Sequence, residues 1–223
     1  SGLHSGMLGL AVQLGATTGG YERPEHPVQI AIVENLARFA DLEPHDIVLG
    51  TDDCVSPCHG LSIYHMALAY ARLMMPEGRF DAPTVAAART IRAAMIGNAW
   101  LIAGSGRLDT DLMAAGAGRI VAKGGASGVQ CIGLEGGIGI ALKIEDGATG
   151  PATPGQPTAA STMEALRQLG VLDPEGSEDL RRHARPTLRD RHSREIGHAR
   201  PMFELGGAAR HAVQTGAFSR HRT

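Results

Sequence analysis

The stretch Arg119-Ile120-Val121-Ala122-Lys123-Gly124-Gly125-Ala126-Ser127-Gly128-Val129-Gln130-Cys131-Ile132-Gly133-Leu134-Glu135-Gly136-Gly137-Ile138-Gly139-Ile140-Ala141-Leu142-Lys143-Ile144 decides the fold. It holds three short runs of Val, Ile, Leu and Cys: Arg119 to Lys123, Gly128 to Leu134 and Ile138 to Ile144. The glycine-rich links Gly124 to Ser127 and Glu135 to Gly137 are short enough for antiparallel hairpins. A three-stranded meander is therefore predicted. Alternation puts Lys143 on the face of Ala141 and Gly139, where it either turns outward or serves a site from within an apolar run.

Upstream of the meander the chain reads as helices. Apolar residues recur at helical steps over Met7 to Leu14 and in a second helix opened by Pro24 and Pro27. A short strand is predicted at Ile47 to Leu49, then a polar loop, Thr51-Asp52-Asp53-Cys54-Val55-Ser56-Pro57-Cys58-His59-Gly60, ahead of a helix from Leu61 to Met74. Asp81 is the predicted N-cap of a helix running to about residue 95 or 98, with Pro83 in its first turn. A glycine-rich loop, Gly104 to Asp111, feeds a short helix. After the meander come a Pro/Gly/Thr loop (147–157), a helix from Thr158 to Leu169 with Gly170 as C-cap, and a polar tail over 206–223. Helices, a meander and a further helix indicate an α+β fold, an antiparallel sheet flanked by helices, with one domain over 1–205.

With 223 residues, 43% apolar but 4% aromatic, the core must be built from Ala, Leu, Ile, Val and Met. A formal net charge of −2 gives no general pull towards nucleic acid or anionic membrane. The arginines between Arg181 and Arg200 are interrupted by Asp190 and Glu195 and lack stacking aromatics, so they read as a solvated, ion-paired stretch. No apolar run approaches the roughly 20 residues that span a bilayer. Three cysteines, an odd number, favour reduced thiols and a cytoplasmic setting.

Few residues carry chemistry. Asp52, Cys54, Cys58 and His59 lie within eight positions and offer zinc-type donors, although Cys-x3-Cys without a second pair matches no structural zinc module. A buried thiol, a capping carboxylate and a solvated imidazole would explain the same residues. Lys123, at a strand end before two glycines, suits a substrate carboxylate; many surface strands end the same way. Gly136-Gly137-Ile138-Gly139 joins strands and opens no helix, so it is no dinucleotide fingerprint. Ser1-Gly2-Leu3-His4-Ser5-Gly6-Met7-Leu8 reads as a glycine-punctuated turn entering a helix, with no methionine before it. Either polypeptide belongs upstream or cleavage exposes Ser1, whose own amine would then act as its base.

Taken in order, these segments resemble the bacterial L-asparaginase II family, the class 3 asparaginases. Ser1 to Met7 is similar to the family's Cys-Ser-Gly-Lys-His-Ala/Ser-Gly-Met turn, and Asp52 to Pro57 to its Asp-Gly-Cys-Ser-x-Pro. Ala103-Gly104-Ser105-Gly106-Arg107-Leu108-Asp109-Thr110 resembles Ala-Gly-Thr-Gly-Arg-Phe-Asp-Thr. Val121 to Cys131 and Gly139 to Gly147 resemble the Lys-x-Gly-Ala-x-Gly-Val-x-Cys hairpin and the lysine strand after it; Ala184-Arg185-Pro186 and Arg200-Pro201 echo the C-terminal region. The resemblance implies a fold related to serine β-lactamases and glutaminases, with its N-terminal part missing here, and hydrolysis of L-asparagine to L-aspartate and ammonia by a homodimer.

It also implies roles. Asp52 would recognise the substrate's α-amino group or orient the site, and Lys143 would bring positive charge to the nucleophile or the substrate carboxylate. His4, Lys123 and Cys131 would line or support the substrate pocket, and Cys54 would be a zinc ligand. The family's other metal ligands are a cysteine, which would precede Ser1, and a lysine, replaced here by Leu3. Its Ser-x-x-Lys nucleophilic pair does not occur in this chain, so a fragment with little activity alone is expected. Asp53 stands at a family glycine, where a positive φ would be strained. The competing expectation is a noncatalytic, diverged homologue that binds a small amino acid or a metal.

Overall fold

A computed structural model describes residues 2–145, 156–207 and 209, which fall into two units divided between Ala69 and Tyr70. In the first unit, α1 (Gly2–Gln13) and α2 (Pro27–Ala40) pack through Met7, Ala11 and Val28, with Leu10, Tyr21 and Ile32 around them. The expected turn at the start is thus helical from Gly2: the buried stripe of Met7 and Ala11 outweighs the helix-weakening glycines at 2, 6 and 9. His26 caps α2, its Nδ1 accepting the Val28 N–H at 3.2 Å, and Pro27 occupies the first turn. Buried Gln29 donates from Nε2 to the Tyr21 carbonyl at 2.8 Å and fastens the intervening loop to α2.

A 3₁₀ turn at Pro44–Asp46 leads to β1 (Val48–Thr51), which pairs antiparallel with β2 (Pro57–Gly60) before α3 (Ile63–Met74). The second strand lies inside the stretch predicted as loop. Pro57, Cys58, His59 and Gly60 carry no strand propensity; the pairing Thr51↔Pro57 to Val48↔Gly60 makes the strand.

In the second unit, α4 (Ala82–Gly97) starts where predicted, with Asp81 Oδ1 accepting the Thr84 N–H at 3.1 Å. The short α5 (Ala99–Ala103) and α6 (Leu108–Ala115) precede the meander β3 (Ile120–Gly124), β4 (Val129–Leu134) and β5 (Ile138–Lys143), paired antiparallel in that order. Next come α7 (Gln156–Gln168) and α8 (Glu178–Ala184), then an antiparallel pair, β6 (Thr187–Arg189) and β7 (Glu195–His198). Gly170 ends α7 at φ 69, its N–H returning to the Arg167 carbonyl. The molecule is α+β, as the pattern predicts, with eight α-helices among the described residues. Residues 146–155, most of the tail and Ser1 lie outside them.

One face of the meander makes the core. Ile120, Ala122, Ile132 and Leu134 point towards Leu112 and Met113 of α6 and Met163 and Leu166 of α7. Each large side chain buried there contributes about 1.5–3 kcal/mol. Behind this core α8 is tied to α6 through Asp111, whose Oδ2 accepts from Arg182 Nη2 at 2.7 Å and from His183 Nε2 at 2.6 Å. The neighbouring arginines pair with carboxylates as expected of a solvated stretch: Arg181 and Arg185 with Glu175, Arg189 with Glu195, Arg194 with Asp190.

The opposite face of β4 is met by the end of α3. A Cβ built on Gly133 would lie 2.5 Å from Met74 Cγ and 3.0 Å from the Tyr70 carbonyl oxygen. The backbone oxygen cannot rotate away, so the position admits only glycine. Gly133→Ala is expected to lower unfolding stability by about 1–3 kcal/mol. Urea denaturation checks this, and a midpoint equal to that of the wild type contradicts the packing described.

Candidate functional site

The candidates on the meander share its outward row. Lys123 pairs with Cys131 and Cys131 with Ala141, while Val129 pairs with Lys143, so the two lysines and Cys131 project from one face. With strands about 4.8 Å apart and about 3.4 Å of rise per residue, the two lysine Cα atoms stand roughly 12 Å from each other. Both lysines are exposed. Lys123 Nζ donates to the Gly124 carbonyl; Lys143 Nζ donates to those of Ile144 and Glu145. Of the two orientations left open for Lys143, the outward one is found: the alternation that packs the partly buried Ile138 and Ile140 against the core turns it to solvent.

Cys131, between the lysine strands, is buried at 6% exposure. Burial pushes its thiol up to about 11, and the negative charge of Asp109 adds to the shift. A neutral thiol at physiological pH is no nucleophile, so Cys131 supports the sheet by packing. The Tyr70 phenol is likewise raised, first by burial, then by Cys131 and Asp109.

Asp109, seen in the sequence only as part of a motif, is a buried carboxylate of this unit held by two donors. At 7% exposure, its Oδ2 accepts the Gly124 N–H at 2.7 Å and its Oδ1 accepts from Gln130 Nε2 at 2.8 Å. A side chain at Gly124 would crowd this pair, its Cβ coming 3.1 Å from Gln130 Oε1 and 3.5 Å from Asp109 Oδ2. Gln130 did leave a sequence signal: it is polar yet shares the core-facing parity of Ile132 and Leu134. Nothing in the sequence marked Tyr70.

In the first unit, Asp52 organises the tip of the β1–β2 hairpin. Its Oδ1 accepts the N–H groups of Cys54 at 2.8 Å and Ser56 at 2.9 Å, and its backbone N–H donates to the Ser56 carbonyl. Its Oδ2 has no hydrogen-bond partner among the described residues. Asp53 has no positive φ and escapes the strain that one would bring; that conformation falls on Val55, at φ 66. Cys54 is exposed at the tip, and Cys58, also exposed, sets its Sγ 3.0 Å from where a Cβ on Gly50 would stand. His59 is half-buried and its pKa is lowered by desolvation. His4 lies in α1, its Nδ1 2.9 Å from the Tyr21 hydroxyl.

Among the described residues no three His, Cys, Asp or Glu side chains gather to hold a metal ion. The hairpin donors alone therefore do not fit zinc, and Leu3, at 59% exposure, adds none. No helix of the described residues is long and apolar enough to cross a membrane.

A family model described as L-asparaginase II matches residues 1–201. No curated protein matches the chain.

The thiols differ enough in exposure to be sorted chemically. Iodoacetamide at pH 8 is expected to label Cys54 and Cys58 rapidly and Cys131 only after denaturation, read as two mass additions and then a third. Because the folded Cys131 thiol is raised, its contribution to stability is intact below the ordinary thiol range and is lost as pH climbs towards about 11.

Proposed function

The chain belongs to the L-asparaginase II family, and on that footing we propose that it acts in hydrolysis of the side-chain amide of L-asparagine, giving L-aspartate and ammonia. The observation that carries this reading is the common outward face of Lys123 and Lys143 beside the glycine-rich strand end. Flexible ammonium groups there suit the α-carboxylate of an amino acid. Taken by itself, the first unit offers Asp52 as a candidate for an ammonium group, since the carboxylate oxygen Oδ2 has no partner in the hairpin.

In the reaction we assign, a serine hydroxyl adds to the amide carbonyl, its proton passes through a lysine amine to the leaving nitrogen, and ammonia departs. Water then attacks the acyl-enzyme, restores the hydroxyl and releases aspartate. The chain has no Ser-x-x-Lys sequence, so the reading assigns that pair to polypeptide outside these 223 residues. In the same reading the fold is related to the serine β-lactamases, the protein is a cytoplasmic homodimer, and His4 and Cys131 act as supports. Cys54 would be one donor of a zinc site completed from elsewhere. None of the steps above depends on that zinc.

The second reading, a noncatalytic homologue that binds a small amino acid, is favoured by Leu3 and by the incomplete donor set of the hairpin. Ammonia release and calorimetry on the full-length protein separate the two readings. We expect release from L-asparagine, with Lys143→Ala or Asp52→Asn lowering kcat/KM by about 100-fold or more. A full-length protein that binds L-asparagine but releases no ammonia supports the second reading. One that neither binds nor turns it over removes both.

A further inference from the structure

The Ala103–Thr110 segment serves as a family mark, but its aspartate makes contacts that reach the lysine-bearing strand. Gly124 ends β3 and Gly125 follows it, and two successive glycines leave a strand end with more backbone freedom than any other pair. The Gly125 N–H is held by the Val129 carbonyl at 2.9 Å. The N–H of Gly124 instead goes to Asp109 Oδ2 at 2.7 Å. Asp109 is the second residue of α6, where the helix dipole favours a negative charge, and α6 is itself fixed in the core by Leu112 and Met113. Its other oxygen holds Gln130, the register partner of Gly124 on β4. Both strands of the hairpin mouth are therefore bound to one buried carboxylate.

We propose that Asp109 is a positioning residue for the amide hydrolysis: by clamping Gly124 and Gln130 it fixes the strand end from which Lys123 reaches the substrate. This rests on the asparaginase reading above. The clamp is a carboxylate that accepts from two donors, the Gly124 N–H and the Gln130 amide. Asparagine has the same shape but one acceptor oxygen, so it keeps both only if the Gln130 amide turns over and gives up the contact of its Nε2 with the Cys131 carbonyl. Making the partner an acceptor restores the match: in Asp109→Asn with Gln130→Glu, the Asn oxygen takes the Gly124 N–H and its NH₂ donates to the new carboxylate.

The test measures kcat and KM for L-asparagine per folded molecule in the full-length protein, with exchange of the Gly124 amide followed in parallel. Asp109→Asn is expected to lower kcat by about 10- to 100-fold, the scale of a misplaced group about 1 Å out of position. The double variant is expected to recover most of that loss. A merely structural aspartate would lower thermal stability while leaving kcat per folded molecule unchanged, which overturns the proposal. A folded double variant no better than the single one overturns it too. Where the variants fail to fold, the wild type decides: slow exchange at Gly124 supports the clamp, and exchange as fast as in an open loop refutes it. No ammonia from the wild type overturns the asparaginase reading and the positioning role together. Ammonia from the wild type with unchanged kcat in Asp109→Asn overturns the positioning role alone.

Discussion

Side chains alternate across a strand, and the pairing of β4 with both neighbours converts that alternation into two unlike faces. Ile120, Ala122, Ile132 and Leu134 go to the core. Lys123, Cys131 and Lys143 go to the other side. A slip of one residue along either ladder would bury an ammonium and expose an isoleucine on that strand. The core therefore holds the lysines in place without touching them. Asp109 closes the same arrangement at the end of β3, where the ladder offers Gly124 no carbonyl partner.

Legibility in the sequence followed the range of the forces involved. The meander was readable because Val, Ile and Leu runs between glycines are a local signal. So was α4, whose start depends on Asp81 and Pro83 a few residues apart. Strand β2 was missed because it exists only through its partner, and its own residues are poor strand formers. Helix α8 and the β6–β7 pair were hidden in an arginine-rich stretch where charge concealed the few apolar anchors, Leu180 among them. Strain at Asp53 depended on whether that position needs a positive φ; the structure puts the positive φ on Val55, within the turn that Asp52 closes.

Site residues divide in the same way. Lysines and cysteines could be nominated by type and motif, but their exposure could not. Lys143 sits in an apolar run and is nonetheless exposed, because only one face of that run is core. Asp109 is the converse case: its residue type is common, its motif was visible, and its importance lies in contacts 15 and 21 residues away.

Asp111 offers a different lesson. Arg182 and His183 both reach the same oxygen, so a shift of that carboxylate alters both contacts at once. Two bonds that share an acceptor are coupled through it, so turning the Asp111 side chain loosens both of these ties between α6 and α8. The back of this core thus combines a polar tie at one carboxylate oxygen with an apolar anchor, Leu180, that packs into the same cluster.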